Sequence, residues 1–177
     1  MFFVLFAVKI LNMDPFGRQV DYLRISVTDR CNERCLYCMP EGYKGWESKP
    51  DHLSAGEIIR VVRVAAGLGF RKFRLTGGEP LVRADVPEIV RAMTAIPGVA
   101  SVGLSTNGMK LAALAQPLRD AGLRTVNVSL DALAPAIYHQ ITGGDVTRVL
   151  ACIQAALAAG FQSRSVGGPP DHEQDSG

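Results

Sequence analysis

The sequence predicts an α/β fold, namely a partial TIM-type (β/α) barrel that ends after about four strand–helix units. Short β-favouring runs alternate with longer segments whose apolar residues recur at helical spacing, which is typical of a parallel sheet. Polar and glycine-rich stretches come directly after the β runs, at the edge where (β/α) barrels build their sites. With 177 residues, 47% of them hydrophobic, the chain can bury a core but is smaller than an eight-unit barrel.

The individual elements follow from local patterns. The first strand is predicted over residues 22–27, and the first helix begins at Ser54, where Glu57 completes a capping box. Apolar residues at helical spacing continue this helix to its stop at Gly69. The same alternation predicts strands over 72–76, 99–105 and 125–130, and helices over 86–96, 111–121, 135–140 and 146–159.

Composition divides the chain into three parts. Residues 1–13 form an apolar extension without a basic stretch or a cleavage site, so we expect no secretory signal and place the functional start at Met13. A buried strand or an interfacial anchor is the alternative for this extension. Residues 14–161 form the folded core. Residues 162–177 are rich in polar residues and breakers, and we expect a disordered tail there.

The net charge of +2 is too small to indicate nucleic acid or an acidic membrane as a partner. Any anion must therefore be bound by local arginines. Three of the four cysteines crowd into residues 31–38, and no export signal precedes them. Clustered cysteines in this context indicate metal binding in a reducing cytoplasm rather than disulfides.

The cysteine motif is C-x₃-C-x₂-C, formed by Cys31, Cys35 and Cys38. Three thiolates in one loop can bind three irons of a four-iron, four-sulfur cluster and leave the fourth iron open to another ligand. A structural zinc site is the alternative, with Cys152 or His52 as fourth ligand, and a disulfide would leave one cysteine unpaired. Cys152 lies among apolar helical residues, which favours a buried structural role. The histidines are expected to face solvent: His52, His139 and His172.

Four segments resemble the GTP 3′,8-cyclase family of the radical S-adenosylmethionine (SAM) superfamily. The first is residues 14–42, DPFGRQVDYLRISVTDRCNERCLYCMPEG, in which the Met-Pro-Glu-Gly after the cysteines points to this family. Residues 74–83 (RLTGGEPLVR), 104–108 (LSTNG) and 127–132 (NVSLDA) match in order, and Ile-Thr-Gly at 141–143 also fits. The resemblance covers about residues 14–161 and implies a barrel of the radical SAM kind.

The resemblance implies two cofactors and a reaction. One four-iron, four-sulfur cluster would bind the three cysteines, and SAM would bind its open iron. Reductive cleavage of SAM would start a radical conversion of GTP to (8S)-3′,8-cyclo-7,8-dihydroguanosine 5′-triphosphate, which is the first step of molybdenum cofactor biosynthesis. Cyclic pyranopterin monophosphate synthase is implied as the downstream partner, and a homodimer is possible by the same resemblance.

Site residues carry over where the motifs match. No catalytic side chain is assigned. Guanidinium groups suit phosphate oxygens, a glycine lets a ligand approach the backbone, and one family threonine is replaced here by serine, which keeps the hydroxyl. The matching positions are Tyr37, Gly78 and Ser129 for SAM, Arg24, Arg74 and Ser105 for GTP, and Cys31, Cys35 and Cys38 for the cluster.

The family pattern stops after Phe161. The family continues with two more barrel strands, three further cysteines for a second cluster, and a terminal glycine pair. We therefore expect a truncated chain that keeps the first cluster and the SAM half-site, with independent activity open. A non-catalytic iron–sulfur-binding remnant and a zinc module are the alternative hypotheses. We also expect an unprotected sheet edge after the fourth strand.

Overall fold

The fold was analysed in a computed structural model that describes residues 15–38 and 52–166. Its centre is one parallel sheet with strands in the order β1-β2-β3-β4-β5, so each strand lies beside its neighbour in sequence. Helices connect the strands, which confirms the predicted open α/β partial barrel. The strands are β1 (Tyr22–Ser26), β2 (Lys72–Thr76), β3 (Ser101–Thr106), β4 (Thr125–Ser129) and β5 (Gln162–Val166).

Five α-helices lie in the described part of the chain. The predicted start of the first helix is confirmed: the Ser54 side chain accepts the Glu57 N–H, and the Glu57 carboxylate accepts the Ser54 N–H. Among those described residues there is no helix with the length and apolarity needed to cross a bilayer. The helices are α1 (Ala55–Gly67), α2 (Val86–Thr94), α3 (Leu111–Asp120), α4 (Pro135–Thr142) and α5 (Val146–Ala158), and Pro80–Val82 form one 3₁₀ turn.

The two faces of the sheet differ in polarity because side chains alternate along each strand. On β2, Phe73 and Leu75 are buried, whereas Arg74 between them is only half-buried. Leu104 and Val126 continue the apolar face on β3 and β4, and the helices bury it. The opposite face carries the polar residues of the same strands. The core therefore lies on the helix side, and the other side is left for a site.

The fifth strand corrects the predicted boundary at residue 162. Gly160 has a φ of 80°, a conformation that favours glycine, and it turns the chain out of α5. Phe161 is buried, and residues 162–166 then pair in parallel with β4 from Thr125 to Ser129. Backbone hydrogen bonds need no apolar side chain, so composition alone misjudged this segment. The fourth strand consequently has a partner on both sides. Two further expectations, an apolar extension over residues 1–13 and disorder over residues 167–177, concern residues that lie outside the described part of the chain.

Candidate functional site

A cavity of about 440 Å³ opens on the polar face of the sheet and at the carboxyl ends of its strands. Its wall includes every site residue predicted from the sequence, although these come from four separate segments of the chain. Their roles stay predictions, but their convergence is a feature of the structure. The predicted residues around the cavity are Arg24, Cys31, Cys35, Tyr37, Cys38, Arg74, Gly78, Ser105 and Ser129.

The three cysteines lie in the loop after β1. Cys31 and Cys35 are half-buried and Cys38 is exposed, and a turn between the last two is closed by the Cys38 N–H on the Cys35 carbonyl at 3.0 Å. Burial raises the pKa of the Cys31 thiol and raises that of Cys35 to about 11. A bound cation would favour the thiolate forms of Cys31 and Cys35, and iron supplies such a charge.

The cysteine loop is held from outside by the carboxyl end of α4. The Arg34 N–H donates to the Thr142 carbonyl at 2.8 Å, and the Leu36 N–H donates to the Ile141 carbonyl at 2.9 Å. Beneath these bonds, the buried hydroxyl of Tyr138 donates to the Glu33 carboxylate at 2.9 Å. The Ile-Thr-Gly segment at 141–143 thus anchors the loop that carries the cysteines.

Glu79 connects the ends of β2 and β3. Its side chain is almost completely buried and accepts three hydrogen bonds, from the Leu81 N–H at 2.9 Å, the Thr106 hydroxyl at 2.7 Å and the Asn107 N–H at 2.6 Å. Burial raises the pKa of this carboxyl, while its hydrogen bonds act in the opposite direction. The carboxylate therefore fixes the backbone of the Thr-Asn-Gly turn against the cavity.

The two glycines after β2 are required by the backbone next to them. A Cβ on Gly77 would collide with the Thr28 carbonyl oxygen, and one on Gly78 would collide with that of Arg30. The Gly78 N–H donates to the Thr28 carbonyl at 2.8 Å, and the Glu79 N–H donates to that of Arg30 at 2.7 Å. Close packing against the cysteine loop is thus a reason for Gly78 that sequence reasoning did not give. Its predicted contact with SAM stays a prediction.

The arginines lie on the cavity face of adjacent strands, where Arg24 and Arg74 are register partners. Arg74 donates to the Tyr22 hydroxyl at 2.7 Å, the Leu104 carbonyl at 2.9 Å and the Thr125 hydroxyl at 3.2 Å. These three bonds fix the orientation of its guanidinium group. Arg24 is exposed on the same face. The pair gives this part of the cavity a positive charge.

The opposite part of the cavity combines an aromatic ring with a carboxylate. The Tyr37 hydroxyl donates to Asp131 at 3.0 Å, and partial desolvation of the hydroxyl together with this bond raises the pKa of Tyr37. Ser129, at the end of β4, lines the cavity two residues before Asp131. Sequence reasoning singled out Tyr37 and Ser129 but not Asp131, Glu79, Glu33 or Asn107. Each of these lies inside a motif segment, so its position, although not its contacts, was available.

The zinc alternative finds no support in the geometry. Cys152 is buried in α5 within the hydrophobic core, as predicted. His52 lies 2.6 Å from Asp29 and is partly buried, which corrects the expectation that it faces solvent. Residues 15–38 and 52–166 contain no group of three or more His, Cys, Asp or Glu side chains close enough to hold a single metal ion. A four-iron cluster is different, because each thiolate binds its own iron and the three need not converge on one point.

Comparison with known proteins defines the class. The radical SAM superfamily model matches residues 25–176, and the chain belongs to this superfamily. Its cofactors are therefore SAM and a four-iron, four-sulfur cluster, and the cysteine loop and its cavity fit both. Among solved structures, Streptococcus suis SuiB bound to S-adenosylmethionine is 20% identical with a TM-score of 0.67, over 83% of this chain and 32% of that one. The hydrogenase maturase HydG has a TM-score of 0.68 at 15% identity, over 81% and 34%. These likenesses concern the fold.

Relatives with higher sequence identity than these solved structures are named GTP 3′,8-cyclase. The GTP 3′,8-cyclase of Moorella thermoacetica is 52% identical over 149 residues, which are 84% of this chain and 46% of that protein. The GTP 3′,8-cyclase of Aeromonas hydrophila is 44% identical over 173 residues, which are 92% of this chain and 51% of that protein. The chain thus spans about half the length of the curated relatives it matches. The part matched is their N-terminal part.

Proposed function

We propose that this chain provides the cluster- and SAM-binding part of a GTP 3′,8-cyclase, a radical SAM lyase of molybdenum cofactor biosynthesis. The reaction converts GTP to (8S)-3′,8-cyclo-7,8-dihydroguanosine 5′-triphosphate. The observation that carries the proposal is the single cavity lined by all the predicted site residues. Relatives with this name, one of them 52% identical, support the choice of GTP as substrate.

Cys31, Cys35 and Cys38 would bind the cluster. When bound, the cluster and SAM supply an electron and a carbon–sulfur bond to cleave, from which the radical reaction starts. Tyr37, Gly78 and Ser129 line the cavity and would contact SAM, the serine through its hydroxyl and the glycine through its backbone. The protein's own contribution is to orient these groups and to exclude water.

Arg24 and Arg74 would bind the phosphates of GTP, and Ser105 would add a hydroxyl beside them. The two arginines differ in availability. Three protein oxygens already orient the Arg74 guanidinium, whereas Arg24 is exposed on the neighbouring strand. We assign Arg74 to fixing the phosphate position and Arg24 to the mobile charge contact. Bidentate geometry favours arginine over lysine at such a position.

The cellular compartment, the downstream partner and the oligomeric state are proposed from the same similarity. The enzyme would work in the cytoplasm and pass its product to cyclic pyranopterin monophosphate synthase. A homodimer is a further proposal, which light scattering tests. Cyclisation also needs the C-terminal part that the relatives have beyond the region matched here.

The test is anaerobic reconstitution with iron and sulfide, followed by an assay of 5′-deoxyadenosine with dithionite, with and without GTP. The assay is repeated with the C-terminal half of the Moorella thermoacetica relative added as a separate chain. Cys35→Ser should lose cluster absorbance and SAM cleavage. Cys152→Ala is the matched control, because that thiol is buried in the core away from the cavity, and it should keep both.

The outcomes separate the hypotheses. GTP-dependent 5′-deoxyadenosine would support the proposal, and cyclised nucleotide only with the added half would assign the chemistry to the complete barrel. Cluster binding without any SAM cleavage would leave a non-catalytic iron–sulfur protein. Colourless protein with one zinc per chain would overturn the proposal.

A further inference from the structure

Asn107 lies between the carboxylate of Glu79 and the sulfur of Cys31. Its backbone N–H donates to Glu79 at 2.6 Å, and its side-chain Nδ2 is 3.9 Å from the Cys31 Sγ. Asn107 also lines the cavity. Neither the motif comparison nor the proposed site residues give this side chain a role.

The orientation of the Asn107 amide is set by its neighbours. The Met109 N–H, which can only donate, points to the Asn107 Oδ1 at 3.1 Å, so Nδ2 must lie on the other side. There Nδ2 donates one hydrogen to the Asn32 Oδ1 at 3.0 Å. The second hydrogen of the same NH₂ group lies between the Cys31 sulfur and the Glu33 carboxylate, which also accepts a hydrogen bond from the Asn107 side chain.

The backbone under Asn107 is also fixed. Glu79 is 1% exposed and accepts from the Thr106 hydroxyl as well as from the Asn107 N–H, and the Gly108 N–H donates to the same Thr106 hydroxyl at 3.0 Å. A turn with this many bonds does not rotate away from the cysteine loop. The amide therefore reaches Cys31 from a rigid base.

Cys31 receives a second donor from its own loop. The Glu33 backbone N–H lies 3.5 Å from the Cys31 Sγ. N–H groups near a ligating sulfur stabilise added negative charge, and such bonds are among the features that set iron–sulfur reduction potentials. A reduced cluster carries one more negative charge than the oxidised one, so it gains more from each donor.

We propose that Asn107 is a positioning and redox-tuning residue, whose side-chain amide donates to the Cys31 thiolate and raises the reduction potential of the bound cluster. This inference rests on cluster binding at Cys31, Cys35 and Cys38, as in the proposed function. It adds a residue that sets how readily the cluster is reduced. Glu79 acts through Asn107 by holding its backbone.

The test is to measure the midpoint potential of the reconstituted cluster, using the electron paramagnetic resonance signal of the reduced cluster at a series of fixed potentials. Asn107→Ala should lower the reduced-to-oxidised ratio at a fixed potential by about fivefold, which for a one-electron couple is about 40 mV. Asn107→Asp keeps the acceptor for Met109 but replaces the N–H with a charged oxygen, so it should lower the ratio further.

Asn32→Ala is the matched control. It removes the other partner of Nδ2 and leaves the Cys31 contact in place, so its ratio should stay within about twofold of the parent value. An unchanged or raised potential in Asn107→Ala would overturn the proposal, and so would an equal shift in Asn32→Ala. Loss of the cluster in both Asn107 variants would assign the residue to folding of the loop instead. If the parent chain binds no cluster, it is the proposed function that fails.

Discussion

The hydrogen bond between Tyr138 and Glu33 joins α4 to the cysteine loop, and its removal should measurably destabilise the protein. Both residues are buried: Tyr138 is 1% exposed and Glu33 is 3% exposed. Tyr138→Phe keeps the ring, so it opens no cavity and removes only the O–H that donates at 2.9 Å. Most of the effect can therefore be assigned to the buried hydrogen bond with Glu33.

The size of the effect follows from the partner. A hydrogen bond to a charged group contributes about 1.5–3 kcal/mol, and the largely buried Glu33 carboxylate loses its Tyr138 donor. For a chain of this size each kcal/mol corresponds to about 2–4 °C in Tm, so we expect a decrease of about 3–12 °C. Anaerobic thermal and urea denaturation of the cluster-free chain would measure it.

The control is Tyr22→Phe, because the Tyr22 hydroxyl also makes a hydrogen bond, but at an exposed position. We expect that substitution to cost no more than about 0.5 kcal/mol. Glu33→Gln combined with Tyr138→Phe completes a double-mutant cycle, which should show coupling of at least about 0.5 kcal/mol. Additive effects, or a Tyr138→Phe loss equal to that of Tyr22→Phe, would refute the reasoning.

Three further predictions concern other parts of the structure. Gly78→Ala should reduce both stability and cluster yield in reconstitution, because its Cβ would collide with the Arg30 carbonyl; unchanged iron content would contradict this. Asp85→Asn should lower stability at neutral pH, because hydrogen bonds from Arg83 hold the pKa of Asp85 below its ordinary value of 3.8. That contribution is present above this value and is lost as the pH falls through the lowered pKa, so urea denaturation should show the variant and parent converging in acid. Leu104→Ala, at a fully buried position on β3, should cost about 2–5 kcal/mol in urea denaturation, and a loss below about 1 kcal/mol would contradict the assignment of the core.

The elements of the core could be predicted because their signals are local. Ser54 and Glu57 are three residues apart and form their capping box without help from the rest of the chain. The alternation of Phe73, Arg74 and Leu75 likewise indicates which face is buried and which carries the site. Residues 162–166 lack such a signal, since their strand is formed by pairing with the backbone of β4.

The site residues could be predicted as a set but not their supporting contacts. Motif similarity singled out cysteines and arginines, residue types that suit an iron–sulfur cluster and phosphate oxygens; the structure brings them to one cavity, and their roles stay predictions. The contact of Glu33 with Tyr138 joins residues far apart in sequence, and so does that of His52 with Asp29. No periodicity or spacing encodes such pairs, so only the folded structure shows them.

The backbone hydrogen bonds between the cysteine loop and the turn at Gly77 and Gly78 have a consequence for which substitutions the protein tolerates. The Val27 N–H donates to the Thr76 carbonyl, and the same ladder continues from Gly78 to Thr28 and from Glu79 to the carbonyl of Arg30. The cysteine loop and the turn at Gly77 and Gly78 are thus joined by backbone hydrogen bonds, whose N–H donors every residue except proline provides. Exposed side chains along either loop can be exchanged without altering the spacing between them. The distance between the two loops is therefore fixed by the backbone, while the side chains that project from the loops are free to determine binding and chemistry.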